Sequence, residues 1–511
     1  MKILLTEPIS NFIPVRLGFY CPHNGILSIA SFLEKWGYDV KVVEPWIFRF
    51  NMNKLVNYIK CESPDVVGIT STTCTAYHAM VLAKLVKEIS PKTIVIVGGH
   101  HFSFAYLESL EICEDIDYII IGEGEHSFLD LVNSLKSGKR KIDMKDIPGL
   151  AFKLEKKIIK TPPRLCIEDL DEMPLPAYHF LFFKDKVKAP LARGGTIGCV
   201  FSRGCSNKCT FCSESLLWQY KNRCRGAENI LEEIRLLVGR YKIFEFTFED
   251  ADFLCNRERN LRFLELLGKE HFRIKFRFAT RVDILIENRD ILYDFRKLGL
   301  ISVVVGIESF SQKCLDKWDK KTQVEQIFLA AKYIKKAKIP VFEGLTIIGS
   351  YNESKENINK ILMKAEKVKV NTLWSTILTP FPGTPLYKTG IKEKTIKIYD
   401  YRKYNMYNAV MELYKISLNK IEIYNILIHM KWFYNPVRWA KSLFNPQWRK
   451  FQFFQLFFDF KIIVRILFFV GDKANKRSGR YQSLIRYFHY RHLNFLNKSN
   501  KSFRSIKVWR D

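Results

Sequence analysis

Along the first 140 residues, short runs rich in β-branched side chains alternate with longer stretches whose apolar residues recur at helical spacing. Runs at 2–6, 39–43, 65–70, 93–97 and 117–121 read as strands, and stretches at 25–36, 53–60, 76–89, 104–113 and 125–135 read as helices. That alternation predicts an α/β domain, a doubly wound, Rossmann-like parallel sheet. Ligands of such sheets sit beyond the carboxyl ends of the strands, and the small residues gather there. Ser71-Thr72-Thr73 follows the third run, Gly98-Gly99-His100-His101 the fourth and Gly122-Glu123-Gly124-Glu125 the fifth.

Residues 141–195 lose this rhythm. A small hairpin is expected across 147–161, and prolines and acids at 170–177 suggest an extended linker. From 196 to 390 the alternation returns, with strands expected at 196–202, 245–248, 275–279, 302–305, 341–348 and 373–378. Six such units make a partial (β/α)6 barrel, whose strand ends collect reactive groups at one mouth. Residues 391–511 are helical, basic and aromatic, including a phenylalanine-rich run at 451–470.

At 511 residues and 47% apolar, the chain has room for about three domains with substantial cores. Its formal charge of +29 is unevenly placed: the last 121 residues hold 25 Lys and Arg against 7 Asp and Glu, or +18. The charge therefore belongs to the tail. The opening Met-Lys-Ile-Leu-Leu-Thr is too short an apolar run for a signal peptide. The twelve cysteines are scattered over the first 314 residues, which argues against a disulfide framework.

Three of them are not scattered. Cys205, Cys209 and Cys212 stand as C-x3-C-x2-C, with Phe211 before the last. Three thiolates on one loop can ligate three irons of a [4Fe–4S] cubane, leaving the fourth open to a small molecule. A structural zinc site would want a fourth Cys or His, usually in paired C-x2-C units. No second pair follows, and Cys224 lies beyond an aromatic stretch at 216–220. Cys21, Cys61, Cys74, Cys113, Cys166, Cys255 and Cys314 read as ordinary buried thiols.

The cysteine loop resembles that of the radical S-adenosylmethionine (SAM) enzymes. The segments 25–44, 69–72, 97–100 and 117–125 resemble the cobalamin-binding domain fused to the front of many of them. The resemblance covers about residues 1–390 and implies three cofactors: a [4Fe–4S] cluster, SAM and cobalamin. It implies that Ser71, Thr72 and the backbone at Gly98 and Gly99 cradle the corrin's nucleotide tail. His100 would contact corrin side groups, with Gly122 and Glu123 in the adjoining loop. The D-x-H-x-x-G segment that brings a cobalt-ligating His elsewhere is replaced by Thr6-Glu7-Pro8-Ile9-Ser10-Asn11, leaving His23 as the nearest candidate. For SAM, the resemblance places Phe211 near the adenine and Glu249 and Asp250 at the amino group. Arg281 would meet the carboxylate, and Glu308 and Ser309 the ribose or the amino-acid end. Relatives often read Gly-x-Pro-Gly-Glu where this chain has Gly349-Ser-Tyr-Asn-Glu353, so the role of Glu353 stays open.

The implied activity is methyl transfer to an unactivated carbon, or to phosphorus, of a small or lipid-like substrate. Electrons would come from a donor such as flavodoxin or ferredoxin. Anaerobic oxidative cyclisation, of the magnesium-protoporphyrin ester cyclase type, is an alternative. So is methylthiolation of RNA or protein, although methylthiotransferases carry N-terminal cluster cysteines and end in a small β-barrel. A non-catalytic redox or cobalamin sensor is the remaining reading. The tail admits a helical cap on the barrel mouth, an interfacial membrane contact or RNA binding, with nucleic acid not expected. A cytoplasmic protein, in part peripheral to the membrane, fits these features.

Overall fold

The computed structural model describes residues 1–9, 19–20, 22–183, 186–187, 196–350, 355–412, 416–449 and 479–502. The run at 451–470, the start of the basic stretch at Lys473, Lys476 and Arg477, and Glu353 lie outside the described residues. The first sheet is built from β1 (Lys2–Thr6), β3 (Asp39–Val43), β4 (Val66–Thr70), β5 (Ile94–Gly98), β6 (Tyr118–Ile120), β7 (Leu150–Leu154) and β8 (Lys157–Lys160), while β2 (Phe19–Tyr20) joins another sheet. Its order is β3-β1-β4-β5-β6-β7-β8. The first five strands are parallel, and their Val and Ile side chains pack under the helices Asn24–Lys35 and Ala76–Ile89. β7 and β8 are antiparallel. The hairpin expected in the connector is therefore an extension of this sheet, seated beside β6.

A two-stranded ribbon, β9 (Phe182–Phe183) with β10 (Lys186–Val187), follows. The second sheet contains β11 (Thr196–Cys199), β14 (Glu245–Phe248), β15 (Lys275–Arg281), β16 (Leu300–Glu308), β17 (Val341–Ile348) and β18 (Thr372–Ile377). Its order is β18-β17-β16-β15-β14-β11-β2, and every pairing is parallel. The six expected strands make the curled half-barrel. A seventh comes from far upstream: Phe19 and Tyr20 register against Thr196 and Ile197. β12 (Ser202–Arg203) and β13 (Arg223–Cys224) form a short hairpin that brackets the cysteine loop.

The tail does not lie in one place. The helix Leu418–Phe433 buries Ile421, Ile428, Trp432 and Phe433 against β18 and its neighbours. The helix Gly479–Ser502 packs instead on the first domain, against the helices Ala76–Ile89 and Tyr106–Ile112. Its Ile485 and Phe488 are buried in that domain's core. Polar contacts add direction, with His492 Nδ1 2.9 Å from the Tyr77 hydroxyl and Arg491 Nη2 donating to the Glu111 carbonyl at 3.1 Å. Phe488→Ala should lower the stability of the first domain by about 3–5 kcal/mol, the usual loss for a buried phenylalanine. Hydrogen exchange of the helix Ala76–Ile89 reads that loss directly. Among the described residues, no helix is long and apolar enough to cross a membrane.

Candidate active site

Two glycines fix the loops that build the site. Gly99 follows β5 with φ of +94°, and a Cβ there would stand 2.7 Å from the Ser71 carbonyl. Only glycine lets this turn press against the loop after β4. Gly204, immediately before Cys205, has φ of +88°, and its Cβ would fall 2.1 Å from the Lys221 carbonyl. The cysteine loop thus closes tightly on the chain that returns into β13.

Between these loops lies a cavity of about 300 Å3. On one side it is walled by Gly98, Gly99 and His100 with the Gly122–Glu125 turn. On the other stand Ser202, Arg203, Glu214 and Trp218, which flank the cysteines. Glu249 lines it too, and so does His23. The walls are mixed: Ile26, Ile29, Leu217 and Met173 supply apolar surface among the polar groups.

Charge locks the two halves together. Arg203 donates from Nη1 to Glu123 Oε1 at 2.9 Å and from Nη2 to Glu125 Oε1 at 2.6 Å, with Ser28 Oγ at 3.1 Å. Arg223 Nη1 reaches Glu123 at 2.8 Å and 3.0 Å. Both guanidinium groups lie over Trp218, 5.7 and 5.5 Å from its ring. Burial is the largest single influence and would raise the Glu125 carboxyl, but the Arg203 charge together with the hydrogen bonds from Arg203, Ser28 and the backbone holds it below the usual range. His100 Nε2 meets Glu214 Oε2 at 2.9 Å, and Trp218 Nε1 donates to Glu214 Oε1 at 2.6 Å. Glu214 sits two residues past Cys212, so His100 connects the first domain straight to the cysteine loop.

The cysteines are free thiols, Cys209 buried and Cys205 and Cys212 half-buried. Burial pushes the Cys209 thiol up to about 11, with Lys320 working against it and the other two cysteines adding to the rise. The three are therefore near enough to feel one another. Yet among the described residues no group of three or more His, Cys, Asp or Glu converges closely enough to hold one metal ion. Three thiols spaced C-x3-C-x2-C on one loop are the donor set of a cubane with one open iron, whereas a structural zinc wants four ligands. The donor set fits the cluster.

The expected SAM residues surround the same loop in different ways. Phe211 packs edge-on to Trp318, ring centroids 5.6 Å apart, in an apolar group with Leu378, Leu386 and Met411. Glu308 takes a left-handed φ of +58° at a register shift between β16 and β17, and its Oε1 accepts from Lys320 Nζ at 2.9 Å. A non-glycine residue held there marks local strain of the kind that gathers at working sites. Ser309 is buried and its hydroxyl accepts from the Ser311 N–H at 3.1 Å. Asp250 is buried, accepting from the Phe201 N–H at 3.2 Å and from the Ser202 hydroxyl, while its Oδ2 has no hydrogen-bond partner among the described residues. Burial raises its carboxyl to about 6, opposed by Arg259. The fork of Arg281 is spanned by Asp283, two residues on, with Nε 3.0 Å from Oδ1.

On the cobalamin side, the cavity wall takes Thr70 but neither Ser71 nor Thr72. Ser71 Oγ turns into its own loop, 2.8 Å from the Thr72 carbonyl and 2.9 Å from Thr75 Oγ1. Glu123 lines the cavity while bound to two arginines. Arg203, Arg223, Glu125, Glu214, Trp218 and Lys320 were not singled out by sequence. Their signal was the pair of acids in Gly-Glu-Gly-Glu and the arginines on either flank of the cysteine loop.

Family models of the B12 binding domain and of the radical SAM superfamily match residues 12–132 and 199–404. An uncharacterized methyltransferase of Pyrococcus horikoshii is 31% identical over 446 residues, covering 87% of this chain and 95% of the relative. The chain is a cobalamin-binding radical SAM protein. The anaerobic magnesium-protoporphyrin IX monomethyl ester cyclase of Rubrivivax gelatinosus is 28% identical, over 81% of this cobalamin-binding radical SAM protein and 74% of the cyclase. The solved structure of the cobalamin-dependent radical enzyme OxsB, with aqua-cobalamin and SAM bound, has a TM-score of 0.68 at 16% identity. That match covers 98% of this chain and 80% of that one. The fold and the three cofactors, a [4Fe–4S] cluster, SAM and cobalamin, are those of this family.

Proposed function

We propose that this protein is a methyltransferase that places a methyl group on an unactivated carbon of an apolar small molecule. One observation carries the proposal. The glycine turns of the first domain and the flank of the cysteine loop wall a single cavity, so a group held by either domain faces the same space. When bound, the cluster and SAM supply a radical able to take hydrogen from carbon, and cobalamin supplies the methyl group.

The chain's own residues then have separate tasks. Cys205, Cys209 and Cys212 hold the cluster. Phe211, Glu308 and Ser309 border the SAM side, with Glu249 at the cavity. Gly98, Gly99 and Gly122 let a broad planar ligand approach the main chain, and His100 holds the two halves in register through Glu214. Ile26, Ile29, Leu217 and Met173 supply the apolar wall expected for the substrate and help exclude water. A small electron donor such as flavodoxin or ferredoxin would reduce the cluster from outside. The helix Leu418–Phe433 exposes Ile423, Leu427 and Met430, which supports contact with a membrane that stores such a substrate.

A second reading, oxidative cyclisation, draws support from the cyclase relative. One experiment separates them. With SAM carrying a trideuterated methyl group and an extract of apolar metabolites, methyl transfer yields a product bearing the intact label. Formation of 5′-deoxyadenosine with an oxidised, unlabelled product would overturn the proposal in favour of cyclisation.

A further inference from the structure

Two thiols outside the cysteine loop touch each other. Cys224 ends β13, and Cys255 ends the short turn Phe253–Cys255 that follows the acidic loop after β14. Thirty-one residues separate them in sequence, yet their Sγ atoms lie 3.3 Å apart. Each also reaches Asn222 Oδ1, at 3.5 Å and 3.4 Å. Both are half-buried, so a small reagent can reach them. Neither role proposed above uses them.

We propose that Cys224 and Cys255 are a reversible disulfide site, a dithiol oxidised by a low-molecular-weight disulfide. The chemistry balances with that oxidant alone. The Cys224 thiolate attacks one sulfur of the small disulfide and expels the first small thiolate, leaving a mixed disulfide. Cys255 loses its proton and attacks Cys224 Sγ, expelling the second. Two protein thiols and one small disulfide become one protein disulfide and two small thiols.

The surroundings divide the two roles. A hydrogen bond from Cys255 favours the Cys224 thiolate most, and the Arg259 charge adds to it against burial. The thiol of Cys224 is thereby held below its ordinary value. That same bond, with burial, pushes Cys255 up. A nucleophile beside a resolving thiol is the usual layout of redox-active pairs. Closure needs the sulfurs to approach by a little over 1 Å, to the roughly 2.04 Å of a disulfide. Ser202 registers against Cys224 in the β12–β13 hairpin, and the Ser202 hydroxyl is tied to Asp250. The bond would therefore tie β13, which pairs with the strand that leads into Cys205, to the turn after the acidic loop.

The test uses the full-length, anaerobically reconstituted holoenzyme in glutathione buffers of graded redox ratio. Acid quenching, alkylation and peptide mass spectrometry follow, with iron measured in each sample. The expected result is a Cys224–Cys255 linked peptide, two hydrogens lighter, rising through a single two-electron transition and reversed by dithiothreitol at constant iron. In Cys255→Ser, Cys224 should accumulate as the glutathione mixed disulfide. Free thiols at both positions in the most oxidising buffer, or linkage of either to a cysteine of the 205–212 loop, would overturn the proposal.

Discussion

Replacing Cys209 with Ala is expected to abolish reductive cleavage of SAM, lowering 5′-deoxyadenosine formation on the order of a thousandfold or more. That is roughly 4 kcal/mol of barrier at 1.36 kcal/mol per decade. Cys209 is the buried member of the loop, and Lys320 and Glu308 lie beside it. Alanine removes one of only three protein ligands, so the cubane loses its purchase rather than merely shifting in potential. Cys224→Ser, a thiol near the loop but outside it, should leave iron content unchanged. Equal iron loss in both variants would mean that the cluster is held differently. Retained turnover in Cys209→Ala would refute the assignment.

Arg203→Ala should damage the protein at a different level. The side chains of Glu123 and Glu125 are only 4% exposed, and Arg203 bonds both. Arg223 remains for Glu123, but Glu125 is left with neutral donors, the Ser28 hydroxyl and its own backbone N–H. Breaking a buried pair from one side leaves an uncompensated charge and costs about 3–5 kcal/mol. Because this pair crosses from the first domain to the cysteine loop, the loss falls on the cavity that both share. Reduced thermal stability and poor cobalamin retention are expected together. Arg203→Lys should recover little, since one ammonium cannot serve two carboxylates as the fork does. A variant with wild-type melting and cobalamin content would contradict the role given to this junction.

Much of the fold was legible in the pattern of the chain, for a physical reason. Parallel strands covered on both faces must be apolar runs, and β4 and β5 are Val- and Ile-rich segments bounded by polar turns. What escaped were pairings that depend on distant partners. Phe19 and Tyr20 are too short a segment to announce a strand, yet they extend the second sheet across more than 170 residues of sequence. The hairpin at 150–160 could be read as a hairpin, but not as an addition to β6.

The candidate site divides in the same way. The cysteine spacing and glycine turns are local, and they stand where the strand ends were expected to place them. Side-chain direction was not local. Ser71 bonds its own loop, as serines after strands often do. Arg281 meets an aspartate two residues away. The tail shows the sharpest difference. Composition suggested one module, whereas its helices pack on separate parts of the molecule, Leu418–Phe433 by β18 and Gly479–Ser502 on the first domain.

Elemental analysis of the anaerobically purified, reconstituted protein tests the central claim most directly. About four irons, four acid-labile sulfides and one cobalamin per chain are expected, the iron lost on replacing Cys205, Cys209 or Cys212. Stoichiometric zinc at these cysteines with no inorganic sulfide would contradict it.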